Sequence, residues 1–147
     1  MRYLFILLFA FPLAATDAPL SKLAVVTVAV ADYDEALTWY TEKLGFRKME
    51  DKSYGDERWL TVAPPDQPEL RIALAKPGMT PEERQANKAL IGTGGPWVFH
   101  TADCAAAYET LSARGVKFTE KPRSLPWGVQ ATFRDLYGNR MVLLQPK

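Results

Sequence analysis

The sequence predicts an α+β fold built from two βαβββ modules in one domain. Two helical stretches each begin at an aspartate and stop at a glycine: Asp32 to Gly45 spans thirteen positions and Asp103 to Gly115 twelve. Around each helix, apolar side chains alternate at period two, the spacing of strands with one covered face. A chain of 147 residues favours one domain. Neither half alone can cover both faces of its sheet, so the halves should pack together.

The elements follow in order. Leu23 to Ala31 alternates, with Val26, Val28 and Val30 on one face and Val25, Thr27 and Ala29 on the other, and predicts the first strand. Asp32 or Asp34 caps a helix carrying Ala36, Leu37, Tyr40 and Leu44, which ends at Gly45. Phe46 to Glu50 is a second strand, residues 52–56 a turn, Arg58 to Ala63 a third strand and Leu70 to Ala75 a fourth. Thr80-Pro81-Glu82-Glu83 is a capping box with proline at the first helical position, predicting a short helix to about Lys88. Gly92-Thr93-Gly94-Gly95 is expected to be a flexible joint. The second half opens with a strand through Trp97 and Phe99. Asp103 then caps a helix carrying Ala107, Tyr108 and Leu111. Val116 to Thr119, Val129 to Arg134 and Met141 to Gln145 complete it as three strands. Between the last two, Asp135-Leu136-Tyr137-Gly138-Asn139 has the chemistry of a tight turn: an aspartate that bonds nearby backbone, and residues that accept positive φ.

Composition narrows the function classes. Hydrophobic content of 48% and 24% charged residues are ordinary for a globular domain. A net charge of +1 offers no electrostatic attraction for nucleic acid or an anionic membrane. The N-terminus has a short positive region, Met1-Arg2, an apolar run from Tyr3 to Leu13, and small residues Ala14-Ala15-Thr16 before Asp17. That pattern predicts a signal peptide over residues 1–16, hence a periplasmic or secreted protein with no membrane segment after its removal. A retained N-terminal anchor is the alternative. Cys104 is the single cysteine, so no intrachain disulfide forms, and its place at a helix start suits a small packed residue better than a reactive thiol.

The chain also resembles a known superfamily. Val28-Ala29-Val30-Ala31-Asp32, Ala36-Leu37-Thr38-Trp39-Tyr40 and Leu44-Gly45-Phe46 resemble the first module of the vicinal oxygen chelate superfamily. Arg114-Gly115-Val116-Lys117-Phe118, Pro126-Trp127-Gly128 and Phe133-Arg134-Asp135-Leu136-Tyr137-Gly138-Asn139 are similar to its second module, with Leu136 in place of a usual proline. That superfamily includes glyoxalase I, bleomycin- and fosfomycin-resistance proteins and extradiol dioxygenases. The resemblance covers residues 21–146, with modules of about 21–76 and 96–146. It implies a glyoxalase-like incomplete barrel with a central cavity, and a homodimer.

The resemblance also implies where a divalent metal would sit. Its four ligands would come from the first and last strand of each module, at positions occupied here by Val25, Ala73, Pro96 and Val142. None of these side chains offers a nitrogen or oxygen donor. One-residue slips of the first, fourth and eighth strands substitute only apolar residues. The expectation is therefore a member lacking the family metal and needing no cofactor.

By strand parity, the face carrying those positions includes Thr27, Arg71, His100 and Arg140, and no carboxylate. His100 is the single histidine, at a strand end near a helix start. Arg71 interrupts an apolar strand, where it binds an anionic ligand, faces solvent from an edge strand, or pairs with Glu69 or another carboxylate. Trp39 and Trp97 fall on core faces, whereas Trp59 and Trp127 sit near loops, where aromatic walls suit flat ligands. Gln130 adds a polar handle. The ligand-binding candidates are thus Thr27, Trp59, Arg71, His100, Trp127, Gln130 and Arg140.

These residues point to a small-molecule binding protein. The alternative is a lyase or isomerase of the glyoxalase type, working through His100 or a displaced metal. A third reading is a degenerate module kept for contact with another protein.

Overall fold

Each half begins with a strand that runs straight into an aspartate cap. In the computed structural model, which describes residues 22–147, β1 (Val25–Ala29) is followed by α1 (Tyr33–Glu42). The Asp32 carboxylate accepts hydrogen bonds from the backbone N–H groups of Asp34 and Glu35, each at 2.9 Å. Three strands complete the module: β2 (Arg47–Tyr54), β3 (Glu57–Ala63) and β4 (Arg71–Ala75). The order in the sheet is β1-β4-β3-β2, with β1 and β4 parallel and the other pairs antiparallel.

The second module repeats this pattern. β5 (Trp97–His100) leads into α3 (Cys104–Ala113), capped by Asp103, and then β6 (Lys117–Leu125), β7 (Gly128–Arg134) and β8 (Arg140–Pro146). Its sheet order, β5-β8-β7-β6, is that of the first. There is no closed barrel among the described residues: two four-stranded sheets stand side by side. The expected leader over residues 1–16 lies outside the described residues.

Four local expectations need correction. The second strand does not stop at Glu50 but continues through Lys52 and Tyr54, because the reversal is a two-residue turn at Gly55-Asp56, with Gly55 at φ +61. Likewise β6 extends to Leu125 instead of ending near Thr119. Both are edge strands with register shifts and largely solvated side chains, so hydrophobic alternation marks neither end. The connector helix α2 (Pro81–Ala86) has its capping box, but its last stretch is a separate 3₁₀ turn at Lys88–Leu90. The glycine stretch after it is stitched down. Gly94 donates its N–H to Asn139 Oδ1 at 2.9 Å, and its carbonyl accepts from the Arg140 N–H at 2.9 Å.

One hydrophobic core serves both modules. Val28, Tyr40, Leu60, Val62 and Leu74 from the first half join Cys104, Val116, Phe133, Met141 and Leu143 from the second. Burying such apolar side chains stabilises the fold by about 1.5–3 kcal/mol apiece. Phe46 and Phe99 meet across the junction at 5.6 Å between ring centroids. Trp39 and Trp97 pack against this core, as their spacing suggested. Cys104 is fully buried, and burial pushes its thiol pKa up, so it behaves as a packed residue.

Candidate functional site

The polar side chains of interest lie on the sheet faces turned away from the shared core. In the first sheet, Val25 pairs with Arg71, Thr27 with Ala73 and Ala29 with Ala75, while Thr61 also sits opposite Ala73. The floor of this face is therefore small: Thr, Ala and Val. Trp59 stands on the same face of β3, 38% exposed. Arg71 occupies an inner strand rather than an edge. Its Nε is buried, 4.0 Å from Glu50 Oε1, and has no hydrogen-bond partner among the described residues. That pair is the carboxylate partnership open to Arg71 from its sequence context.

The second sheet repeats the layout. Val98 pairs with Val142, His100 with Leu144, Gln130 with Leu144, Thr132 with Val142, and Arg140 with Arg134. Thr132 donates its hydroxyl to Glu120 Oε2 at 2.7 Å, on the same face. Trp127, 56% exposed, donates its indole N–H to Gln130 Oε1 at 3.2 Å. Each sheet thus carries a threonine beside a glutamate near its middle and a tryptophan toward one end.

Two of these groups correct the parity reading. Glu50 and Glu120 do lie on the faces that were expected to hold no carboxylate. The register shifts between Lys48 and Glu50, and between Phe118 and Glu120, move each glutamate out of simple alternation. Nothing in the local sequence marks those bulges.

The seven candidates divide between the sheets. Thr27, Trp59 and Arg71 share the first; His100, Trp127, Gln130 and Arg140 belong to the second. The positions that the resemblance implies for a metal are also placed by the register. Val25 and Ala73 lie on the first face and Val142 on the second, with Pro96 directly before β5. Their side chains are hydrocarbon, so the residues present do not fit a four-donor metal centre. Among the described residues, no three His, Cys, Asp or Glu side chains gather to hold an ion.

Between the modules lies a cavity of about 500 Å³. Leu44 and Phe46 wall it from the first module, and Phe99, Leu111, Phe133 and Leu143 from the second. Asp66, Gln67 and His100 supply its polar groups. Of the seven sequence candidates, His100 lines it. The apolar walls escape sequence reading because each carries the signature of ordinary core; the space between them exists only once both modules are packed.

Buried polar groups elsewhere are structural. The Tyr40 hydroxyl donates to Asp135 Oδ2 at 2.7 Å, and burial together with that carboxylate raises the tyrosine's pKa well above its ordinary value. Tyr137 is pushed up to about 12, first by burial and then by its hydrogen bond to Glu35. Both hold their protons at neutral pH and tie one module to the other.

Comparison with known proteins agrees with this architecture. The family model described as the glyoxalase/bleomycin resistance protein/dioxygenase superfamily matches residues 22–143. The chain is 36% identical over 125 residues to YurT of Bacillus subtilis (strain 168), covering 84% of this chain and 98% of YurT. The crystal structure of UcmS2 superposes with a TM-score of 0.77 at 39% identity, covering 84% of this chain and 97% of that one. TnmS3, an antibiotic binding protein from Streptomyces sp. CB03234, superposes with a TM-score of 0.72 at 30% identity, covering 88% and 99%.

Proposed function

The chain belongs to the glyoxalase/bleomycin resistance protein/dioxygenase superfamily, and from that premise we propose that it is an exported, homodimeric small-molecule binding protein that works without a metal. The observation that carries this reading is the chemistry of four positions. Val25, Ala73, Pro96 and Val142 put hydrocarbon where Lewis-acid chemistry needs donors. The same substitutions leave a low apolar floor. Above it stand flat aromatic surfaces, Trp59 and Trp127, with Arg71, Glu50, Gln130 and Thr27 available for hydrogen bonds. Ligand pockets are commonly built this way: mostly apolar, with a few placed polar groups.

Exposure supports the dimeric reading. Trp59, Val98 and Trp127 are 38%, 52% and 56% exposed on a single chain. Apposing the helix-free face of one copy to that of another covers these side chains and turns each half-lined face into a wall of an enclosed site. The neighbour TnmS3, an antibiotic binding protein, supports a small-molecule ligand.

The test combines metal analysis with ligand titration. Elemental mass spectrometry of the purified protein should find no stoichiometric metal, and nickel, zinc, iron and manganese should each leave the melting temperature unchanged. A panel of aromatic antibiotics, followed by tryptophan fluorescence, should include a saturable quencher. Trp59→Ala should weaken it, an aromatic contact being worth about 0.5–1.5 kcal/mol beyond area, or up to about tenfold in Kd. Stoichiometric metal, or strong stabilisation by one ion, would overturn the reading in favour of glyoxalase-type catalysis.

A further inference from the structure

The internal repeat makes the inter-module cavity interpretable, because the same place in the other half is filled. Pairing registers align the modules residue by residue. Thr61 opposite Ala73 corresponds to Thr132 opposite Val142, so Pro64 corresponds to Asp135. Both helices start one residue after an aspartate cap, so Leu111 corresponds to Tyr40. On the filled side, Tyr40 donates to Asp135 at 2.7 Å. Asp135 also accepts from the Asn139 side chain at 2.7 Å, and Tyr137 reaches Glu35 at 2.8 Å. That polar plug occupies the junction between the β7–β8 turn and the first module.

On the other side the plug residues have been replaced by hydrocarbon. Leucine stands for the tyrosine and proline for the aspartate. The β3–β4 connection runs from residue 64 to 70 where its counterpart runs from 135 to 139, two residues longer (70 − 64 against 139 − 135). The result is the cavity of about 500 Å³ with Asp66, Gln67 and His100 at its polar end. This volume falls within the range of small-ligand pockets.

We propose that this unplugged junction is a second binding site, for a neutral or cationic aromatic molecule carrying one hydrogen-bonding group. The wall sets the aromatic preference: Phe46, Phe99 and Phe133 all line the space. Among the described residues, Asp66 is the one acidic side chain in the lining and no lysine or arginine lines it, so an anion meets no cationic partner from them. His100 and Gln67 supply the hydrogen bonds. The site borders the second helix-free face, because Val98 and His100 of that face also line it, but its Phe46, Leu111 and Phe133 walls lie outside that face.

The experiment is an amide-resolved NMR titration of the purified protein with indole, phenylethylammonium and benzoate as separate probes. The expected result is saturable shifts centred on Phe46, Phe99, Leu111 and Leu143 with indole and phenylethylammonium, and far weaker ones with benzoate. Leu111→Tyr, with Pro64→Asp added to supply its acceptor, rebuilds the plug and should weaken indole binding by at least about tenfold. Leu111→Phe, which adds bulk without a buried hydroxyl, should lower affinity in the same direction if the double variant fails to fold. Wild-type-like binding in every folded variant would overturn the proposal. So would shifts confined to Trp59 and Trp127, which would leave the helix-free faces as the binding surface. Concentration-dependent shifts at the cavity without any probe would identify a second copy as its occupant and overturn it as well.

Discussion

Asp135 shows how one residue serves two scales of order. Its carboxylate accepts from the N–H groups of Tyr137 and Asn139 at 2.9 Å each, which closes the β7–β8 turn. It also accepts from Tyr40, 95 positions away, at 2.7 Å. The first role is legible in the sequence, since aspartate before a glycine-asparagine pair is turn chemistry. The second is not, because no local pattern announces a partner from another module. Tyr40→Phe should therefore destabilise the protein by about 1–3 kcal/mol in urea denaturation, the worth of one buried hydrogen bond to a charged acceptor, with Asn139 still donating to the same oxygen. The same change should leave secondary structure intact by circular dichroism, since the turn's own backbone bonds remain.

Arg58 does similar work between elements. From β3 it reaches Asp51 on β2 at 2.7 Å and Asp34 in the first turn of α1 at 2.7 Å. Hydrogen bonds from Arg58 hold the Asp51 carboxyl at about 2, below its ordinary value near 3.8. A depressed acid pKa stabilises the fold fully above the unfolded value, and the contribution is lost as pH falls through the folded one. The melting temperature should then fall as pH drops from about 4 to about 2. That loss should be smaller in Arg58→Met, read by calorimetry across the same range. The strand identity of β3 was legible from residues such as Trp59 and Val62. The reach of β2 to Tyr54 was not, because a solvated edge strand carries polar side chains on both faces.

At the scale of the molecule, the two modules share one core and the contacts between them are both apolar and hydrogen-bonded. Buried side chains of both sheets belong to that one cluster. Chemical unfolding should accordingly be a single transition by fluorescence and circular dichroism together. A fragment comprising residues 22–76 should lack dispersed amide resonances. Independent folding of that fragment would mean that the repeat is two autonomous units in contact.

The sequence by itself determined the periodic features: which stretches are strands and helices, where aspartates cap and glycines stop, and that the halves repeat. These depend on neighbours a few residues apart, so they are written locally. Only the tertiary structure decided that Glu50 and Glu120 join the candidate faces, that Gly94 is pinned by Asn139, and that Leu44, Phe46, Phe99 and Leu111 wall a cavity. A bulge changes which face a side chain takes, and a cavity is the space two packed surfaces fail to fill. Both are properties of how separate segments meet, so neither leaves a periodic mark on one segment.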